Sequence, residues 1–163
     1  MHLIGNMLYM WIFADNIEDE LGKTKFIIFY LLSGVAAALT QGYMNTESTI
    51  PMVGASGAIG GILGAYIVNH PKAKVLVLIP LGFFSQIIKI PAIFVLGFWF
   101  VLQFISSAAS SSTGGGVAYG AHIGGFIFGA VAILFFNRGV KRKPNRAKKI
   151  SKKIKNPWAV SYT

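Results

Sequence analysis

The segment Gly54–Tyr66, with the sequence GASGAIGGILGAY, decides how this chain folds. It mixes small with aliphatic residues and carries no charge, a pattern typical of a helix packed tightly against other helices in a membrane. Glycines four residues apart, such as Gly57 and Gly61, let the backbones of two helices approach closely. Ser56 stands at the start of this run, where the first N–H groups of a helix have no partner within the helix.

The composition of the chain predicts a membrane protein. Of its 163 residues 54% are hydrophobic, and soluble domains rarely tolerate such a share. Helices are the expected structure, because every backbone polar group in lipid must be satisfied internally. We therefore expect an all-α, polytopic helical bundle with five apolar helices. These cover about 2–21, 26–43, 56–69, 92–107 and 119–136. The apolar segment 75–88, interrupted by Pro80 and Gly82, is expected to be interfacial or re-entrant.

The basic residues predict the orientation of the helices. Five helices alternate in direction, and this puts all 15 Lys and Arg residues on one side of the membrane. Ten of them lie between Arg138 and Lys155, in a basic tail (138–163) that follows the membrane domain (1–137). The positive-inside rule assigns that side to the cytoplasm, and we expect a bacterial plasma membrane. An odd number of spans with an outer N-terminus hints at a further span upstream.

Ser56 and His122 form a candidate catalytic pair. The helix after Ser56 is roughly 20 Å long, against a hydrocarbon core of about 30 Å, so Ser56 is expected at the floor of an outward-facing depression. A serine nucleophile needs a base and oxyanion donors, and the first N–H groups of the helix can be such donors. His122 is expected at a similar depth. Taken alone, Ser56 is more often a packing residue, whereas a histidine within a span is functional by default.

Two further polar residues share one face of the first helix. His2 and Asn6 are four residues apart near its outer end, where they can donate hydrogen bonds to an oxyanion. The alternative is an interhelical hydrogen bond for Asn6 and a solvated terminal position for His2. The chain has no cysteine, which excludes disulfides and thiolate metal sites, and the sequence offers no site for a metal or cofactor.

Three motifs together resemble the rhomboid family of intramembrane serine proteases. They are His2–Asn6 (HLIGN), Gly54–Gly57 (GASG) and Gly120–Gly125 (GAHIGG), and the resemblance covers about residues 1–137. It implies a Ser–His dyad without a catalytic carboxylate, and no cofactor. It also implies substrates that are single-pass transmembrane proteins, cut within the lipid bilayer near the outer end of their helix.

The resemblance also implies a role for each candidate residue. Ser56 would be the nucleophile, and His122 the general base and then the acid. The oxyanion hole would be formed by the Ser56 N–H group together with His2 and Asn6. Helix packing would depend on Gly125 and Gly129 against the helix of Gly57 and Gly61, and helix 92–107 would be the lateral gate.

Two departures from the family pattern keep other functions open. The family core has six helices, and this chain matches five of them, without the span and loop that precede the His-x-x-x-Asn helix. Gly60 stands where many members carry an aromatic that stacks under the histidine. A non-catalytic rhomboid-like protein that binds transmembrane clients, or an inactive fragment, is the alternative. A transporter or channel would carry intramembrane charges, which the last four helices lack. A nucleic-acid partner is excluded by the hydropathy.

Overall fold

The computed structural model describes residues 2–47, 54–81, 84–109 and 117–137. Within them the chain forms six α-helices, a short π-helical segment and one two-stranded sheet. The helical elements are α1 (His2–Tyr9), the π segment (Met10–Ala14), α2 (Asp15–Leu21), α3 (Lys23–Met44), α4 (Ser56–Asn69), α5 (Ala92–Ala109) and α6 (Tyr119–Phe136). The strands are β1 (Lys74–Leu81) and β2 (Phe84–Pro91). The predicted basic tail, 138–163, lies outside the described residues.

The predicted helical membrane bundle is confirmed. Helices α4 and α6 have the bounds that the sequence predicts, and α5 extends two residues beyond its prediction. Among the described residues, α3, α5 and α6 are long and apolar enough to cross a membrane by length and composition. Helix α4 is apolar but has 14 residues, shorter than a usual span. The first predicted helix, 2–21, is helical throughout in the structure. Its middle part, Met10–Ala14, is π-helical, and the parts before and after it are α-helical.

Helix α4 lies at the centre of the bundle. Every residue from Gly57 to Tyr66 is buried, which means that other elements cover all sides of the helix. Helix α3 by contrast buries three residues along its length and exposes apolar side chains such as Leu31 and Leu39. Apolar side chains on the outside of a helical bundle suit contact with lipid. The site at the start of α4 is therefore held by an inner helix, with lipid-facing helices around it.

The helix ends meet in two sets on opposite sides of the bundle. On one side, the Asn69 amide at the end of α4 donates to Glu20 of α2 and accepts from Asn137, just after α6 (2.9 Å). On the other side, the Gln41 side chain near the end of α3 accepts a hydrogen bond from the Ala121 N–H near the start of α6 (3.1 Å). The ends of α2, α4 and α6 therefore lie on one side of the bundle and the end of α3 on the other, so α2, α3 and α4 alternate in direction.

The segment between α4 and α5 forms a β-hairpin, for which the sequence analysis assigned no strands. Strands β1 and β2 are antiparallel, with Leu78 opposite Ile87, and β2 leads directly into α5. Val75 is buried against the bundle, while Leu78 and Ile87 are exposed. The β-branched residues on both strands favour this structure over a re-entrant helix.

Candidate active site

Ser56 is the first residue of α4 and is half-buried. Gly54, two residues earlier, has a φ of 139°, a backbone conformation that residues with a side chain rarely adopt. This glycine turns the chain into the helix. The helical bonding of α4 then begins with Ile59, whose N–H donates to the Ala55 carbonyl (3.0 Å). The N–H groups of the preceding turn point out of the helix start, beside Ser56.

The first two turns of α4 pack backbone to backbone against the start of α6. A Cβ atom added at Gly57 would lie 3.4 Å from the Ala121 carbonyl oxygen, and one added at Gly60 would lie 3.0 Å from that of His122. The turn that carries Ser56 therefore contacts the turn that carries His122. This matches the similar depth that the topology predicts for the two residues.

The glycines predicted to mediate helix packing lie along this same contact. A Cβ atom added at Gly125 would overlap the Gly57 carbonyl, and one added at Gly129 would overlap the Gly61 carbonyl. A Cβ atom added at Gly61 would overlap the Ser33 side chain of α3 and would lie 3.3 Å from the Gly125 carbonyl oxygen. Any larger residue at these four positions would have to separate α4 from its neighbours.

His122 is buried, with 8% of its surface exposed, and its ring is contacted from α5. Its Nδ1 atom lies 2.8 Å from Oε1 of Gln103, which is equally buried. The ring of Trp99, one turn earlier on α5, has its centroid 5.7 Å from that of the imidazole, at 35°. Tyr119 meets the imidazole edge-on at 6.4 Å. Sequence reasoning did not predict Gln103 or Trp99, although a lone amide in an apolar helix is a recognisable signal.

The close contact at Gly60 leaves no room for an aromatic side chain at that position. A side chain at Gly60 would press on the backbone of His122, since its Cβ would lie 3.0 Å from the His122 carbonyl oxygen. The aromatic ring beside the imidazole is that of Trp99, from a different helix. Gly60 lacks the aromatic that many family members carry, and in the structure the ring nearest in role is that of Trp99, 5.7 Å from the imidazole between centroids.

The predicted oxyanion residues lie on α1. Asn6 is half-buried and, within the described part of the chain, makes no side-chain hydrogen bond. His2 is the first residue of α1, and its side chain lies outside the described residues. Helix α1 contacts α4, so both residues belong to an element next to Ser56. In the described ranges, no three His, Asp or Glu side chains come together as a metal site requires.

Comparison with known proteins identifies the family. The Rhomboid domain family model matches residues 1–139, most of the chain. The chain belongs to the rhomboid family. This rhomboid is 28% identical over 154 residues to Rhomboid protein 1, mitochondrial, of Saccharomyces cerevisiae, which covers 89% of the chain and 40% of the relative. It is 31% identical over 131 residues to Rhomboid protease GluP of Bacillus subtilis, covering 80% of the chain and 22% of the relative.

The relatives include proteins named as mitochondrial and a bacterial protein. A third, Presenilin-associated rhomboid-like protein A, mitochondrial, of Danio rerio, is 29% identical over 149 residues, 88% of this rhomboid and 36% of its own length. The chain thus spans two fifths or less of the curated relatives described here. Mitochondrial and bacterial proteins stand side by side among them, so the comparisons support a membrane protein but not the bacterial plasma membrane expected from the sequence.

Proposed function

We propose that this rhomboid is an intramembrane serine endopeptidase with Ser56 as nucleophile and His122 as general base. The observation that carries the proposal is the backbone contact between α4 and α6, in which Gly57 meets Ala121 and Gly60 meets His122. It keeps a serine and a buried histidine on touching helical turns, at the same end of the bundle. Family membership supports the proposal, because relatives such as GluP are named proteases.

The proposed reaction has two halves. In the first, Ser56 Oγ attacks the scissile carbonyl carbon while His122 takes the hydroxyl proton, and His122 then gives that proton to the leaving amine. The peptide C–N bond breaks, and an acyl-enzyme ester remains on Ser56. In the second half, His122 takes a proton from water as the water attacks the ester, and it returns the proton to Ser56 Oγ. The products are a new carboxyl terminus and a free Ser56.

The oxyanion of each tetrahedral intermediate would lie in front of α4. There the N–H groups of the first turn and the positive end of the helix dipole stabilise negative charge. Asn6 is a candidate second donor because α1 lies against α4, and His2 is a further candidate on the same helix face. We expect each donor to contribute less to the rate than the two residues of the dyad.

The proposed substrates are single-pass transmembrane proteins. They would reach Ser56 from the lipid and be cut near the membrane face opposite Lys23, Lys72 and Lys89, which the helix alternation puts on the far side. A cleaved helix must first unwind locally, since a carbonyl within a helix is shielded by its own hydrogen bonds. We therefore expect cleavage sites rich in residues that weaken a helix, such as glycine.

Covalent labelling of Ser56 tests the proposal. Purified protein in detergent is treated with a fluorophosphonate, which reacts with activated serines, and compared with Ser56→Ala and His122→Ala. We expect labelling of the wild type and none of either variant. Ser33→Ala is the matched control, because Ser33 is a buried serine that donates to the Phe29 carbonyl of its own helix (2.8 Å). Its loss should leave the labelling of Ser56 in place.

Cleavage of a transmembrane substrate in proteoliposomes completes the test. A folded wild-type chain that neither labels nor cleaves would contradict the protease and leave the non-catalytic, client-binding function as the better explanation. Binding of a transmembrane helix without cleavage would then be the measurement to make. Equal labelling of wild type and Ser56→Ala would remove Ser56 from the mechanism.

A further inference from the structure

We propose that Gln103 is a positioning residue that fixes which nitrogen of His122 carries the proton. The proposal rests on the proposed function, in which His122 is the base. Helix α5 buries three residues, and Gln103 is the polar one among them. An amide in an otherwise apolar helix costs free energy unless both ends of the amide are satisfied. The partners of Gln103 show what this amide does.

The orientation of the Gln103 amide follows from its two hydrogen bonds. Nε2 lies 3.1 Å from the carbonyl oxygen of Trp99, one turn earlier, and a carbonyl oxygen can only accept. The amide nitrogen therefore faces the helix, and Oε1 faces Nδ1 of His122 at 2.8 Å. An amide oxygen is also purely an acceptor, so Nδ1 must donate. The neutral imidazole is then the Nδ1–H tautomer, with its lone pair on Nε2.

This tautomer is the one that leaves Nε2 as the basic atom. A general base needs an unprotonated nitrogen, and the other tautomer would put a hydrogen on Nε2 and its lone pair against α5. The Trp99 ring packs on the imidazole at 5.7 Å, so two residues one turn apart on α5 orient one ring. The roles of Gln103 and Trp99 differ. The Gln103 amide selects the tautomer of His122, and the Trp99 indole restricts the rotation of the imidazole ring.

Nitrogen-15 NMR of histidine-labelled protein in lipid bilayers at pH 8 tests the proposal without requiring activity. The His122 signals are assigned by their loss in His122→Asn. In the wild type we expect a protonated Nδ1 and an unprotonated Nε2. Gln103→Met, of similar size but without an acceptor, should reduce the Nδ1–H form, and Gln103→Glu, which keeps an acceptor oxygen, should retain it. A protonated Nε2 in the wild type, or no change in Gln103→Met, would overturn the proposal.

Gln41 provides the matched control. It is a half-buried amide that also reaches α6, but it accepts from the backbone N–H of Ala121 and not from the imidazole (3.1 Å). Gln41→Met therefore removes a hydrogen bond one residue away from His122 and leaves Nδ1 bound. We expect the Nδ1–H signal to persist in Gln41→Met. Loss of the signal in both variants would mean that general loosening of α6, and not Gln103, changes the tautomer, and would contradict the proposal.

A kinetic measurement tests the consequence for catalysis. In Gln103→Met we expect kcat to fall roughly tenfold, the bias that one net hydrogen bond gives to an equilibrium, with KM within about twofold. Gln103→Glu should recover most of kcat. A wild type that keeps the Nδ1–H tautomer but is neither labelled nor active would refute the proposed protease while leaving the tautomer result intact. An unchanged kcat in Gln103→Met, in an active enzyme, would refute the positioning role alone.

Discussion

Helix α6 contacts two of its neighbours, α4 and α5, in opposite ways. Against α4 it packs through backbone, with Gly125 and Gly129 facing the carbonyls of Gly57 and Gly61. Against α5 it packs through long side chains, such as the stacked rings of Phe100 and Phe126, whose centroids are 4.3 Å apart. The α4–α6 contact consists of backbone atoms, which have no side-chain rotamers to change. The α5–α6 contact consists of side chains that can change rotamer one at a time.

The difference matters because lipid removes the usual force between apolar surfaces. Within a bilayer, apolar side chains gain little by leaving lipid, and helix association depends on close fit and on polar contacts. The α4–α6 contact has the close fit. Helix α5 buries only Ala92, Leu96 and Gln103 among its described residues, whereas α6 buries ten, so most of α5 lies outside the tightly packed centre. The pair proposed for catalysis thus lies on the α4–α6 backbone contact, beside a helix that is attached mainly through side chains.

The largest expected effect comes from breaking the α4–α6 backbone contact. Gly129→Leu would place side-chain atoms on the backbone of Gly61, and only separation of α4 from α6 could relieve the overlap. Overpacking commonly costs about 1–3 kcal/mol, and more where backbone must move. We expect loss of folded protein and of Ser56 labelling. Size-exclusion profiles and thermal melting in detergent would measure the loss of folded protein.

Gly97→Leu is the control for that substitution. Gly97 lies within α5 and has no atom within 4 Å of an added Cβ, so a larger side chain meets open space. Leucine also favours the helix over glycine by up to about 1 kcal/mol in soluble hosts. We expect melting at or above the wild-type temperature. Equal damage from the two substitutions would show that the α4–α6 contact is no more sensitive than the helix beside it.

The second effect separates the chemistry from the packing. His122→Ala removes the imidazole but leaves the glycine contacts, since Gly60 meets the backbone of His122 and not its ring. We expect cleavage to fall by about 10²–10⁴-fold, the usual contribution of a general base. The chain should remain folded, although the cavity will lower its melting temperature. Cleavage within a few fold of the wild type would exclude His122 as the base.

The third effect concerns the side-chain contact between α5 and α6. The chain has no cysteine, so Phe100→Cys with Phe126→Cys gives a unique pair across α5 and α6. Cross-linking this pair with a thiol reagent should lower cleavage of a transmembrane substrate at least about tenfold if α5 must separate for entry. Labelling of Ser56 by a small fluorophosphonate should persist. Loss of both would mean that the link distorts the site, and loss of neither that substrates enter elsewhere.

Sequence reasoning works best for the α4–α6 backbone contact. The bounds of α4 and α6 follow from apolar runs that end at turn residues, and the small residues predict close packing because size alone decides how near two backbones can come. The depth of Ser56 relative to His122 follows from topology and helix length. These features depend on residue types along one helix, and a single sequence contains that information.

The same reasoning fails where the outcome depends on which faces meet. Gln103 and Trp99 are visible in the sequence, but the face of α5 that reaches His122 is set by tertiary packing. The hairpin escapes prediction for another reason: its β-branched residues, such as Val75, Val77 and Ile88, are also strongly apolar, so hydropathy alone indicates a membrane-associated segment. The π segment within the first helix has no signal in the apolar pattern.

The smallest expected effect lies at the opposite end of the α4–α6 backbone contact. There Asn69 of α4 bonds to both Glu20 and Asn137, so Asn69→Leu removes two hydrogen bonds and leaves two polar groups without that partner. We expect a loss of about 1–3 kcal/mol in stability. Asn137→Leu removes one of these bonds and should cost less. Thermal melting compares them, and cleavage should stay within a few fold of the wild type in both, because the network lies at the far end of α4 from Ser56. A larger loss of cleavage from Asn69→Leu than from the linked Phe100/Phe126 pair would mean that the far end of α4 controls the site more strongly than α5 does.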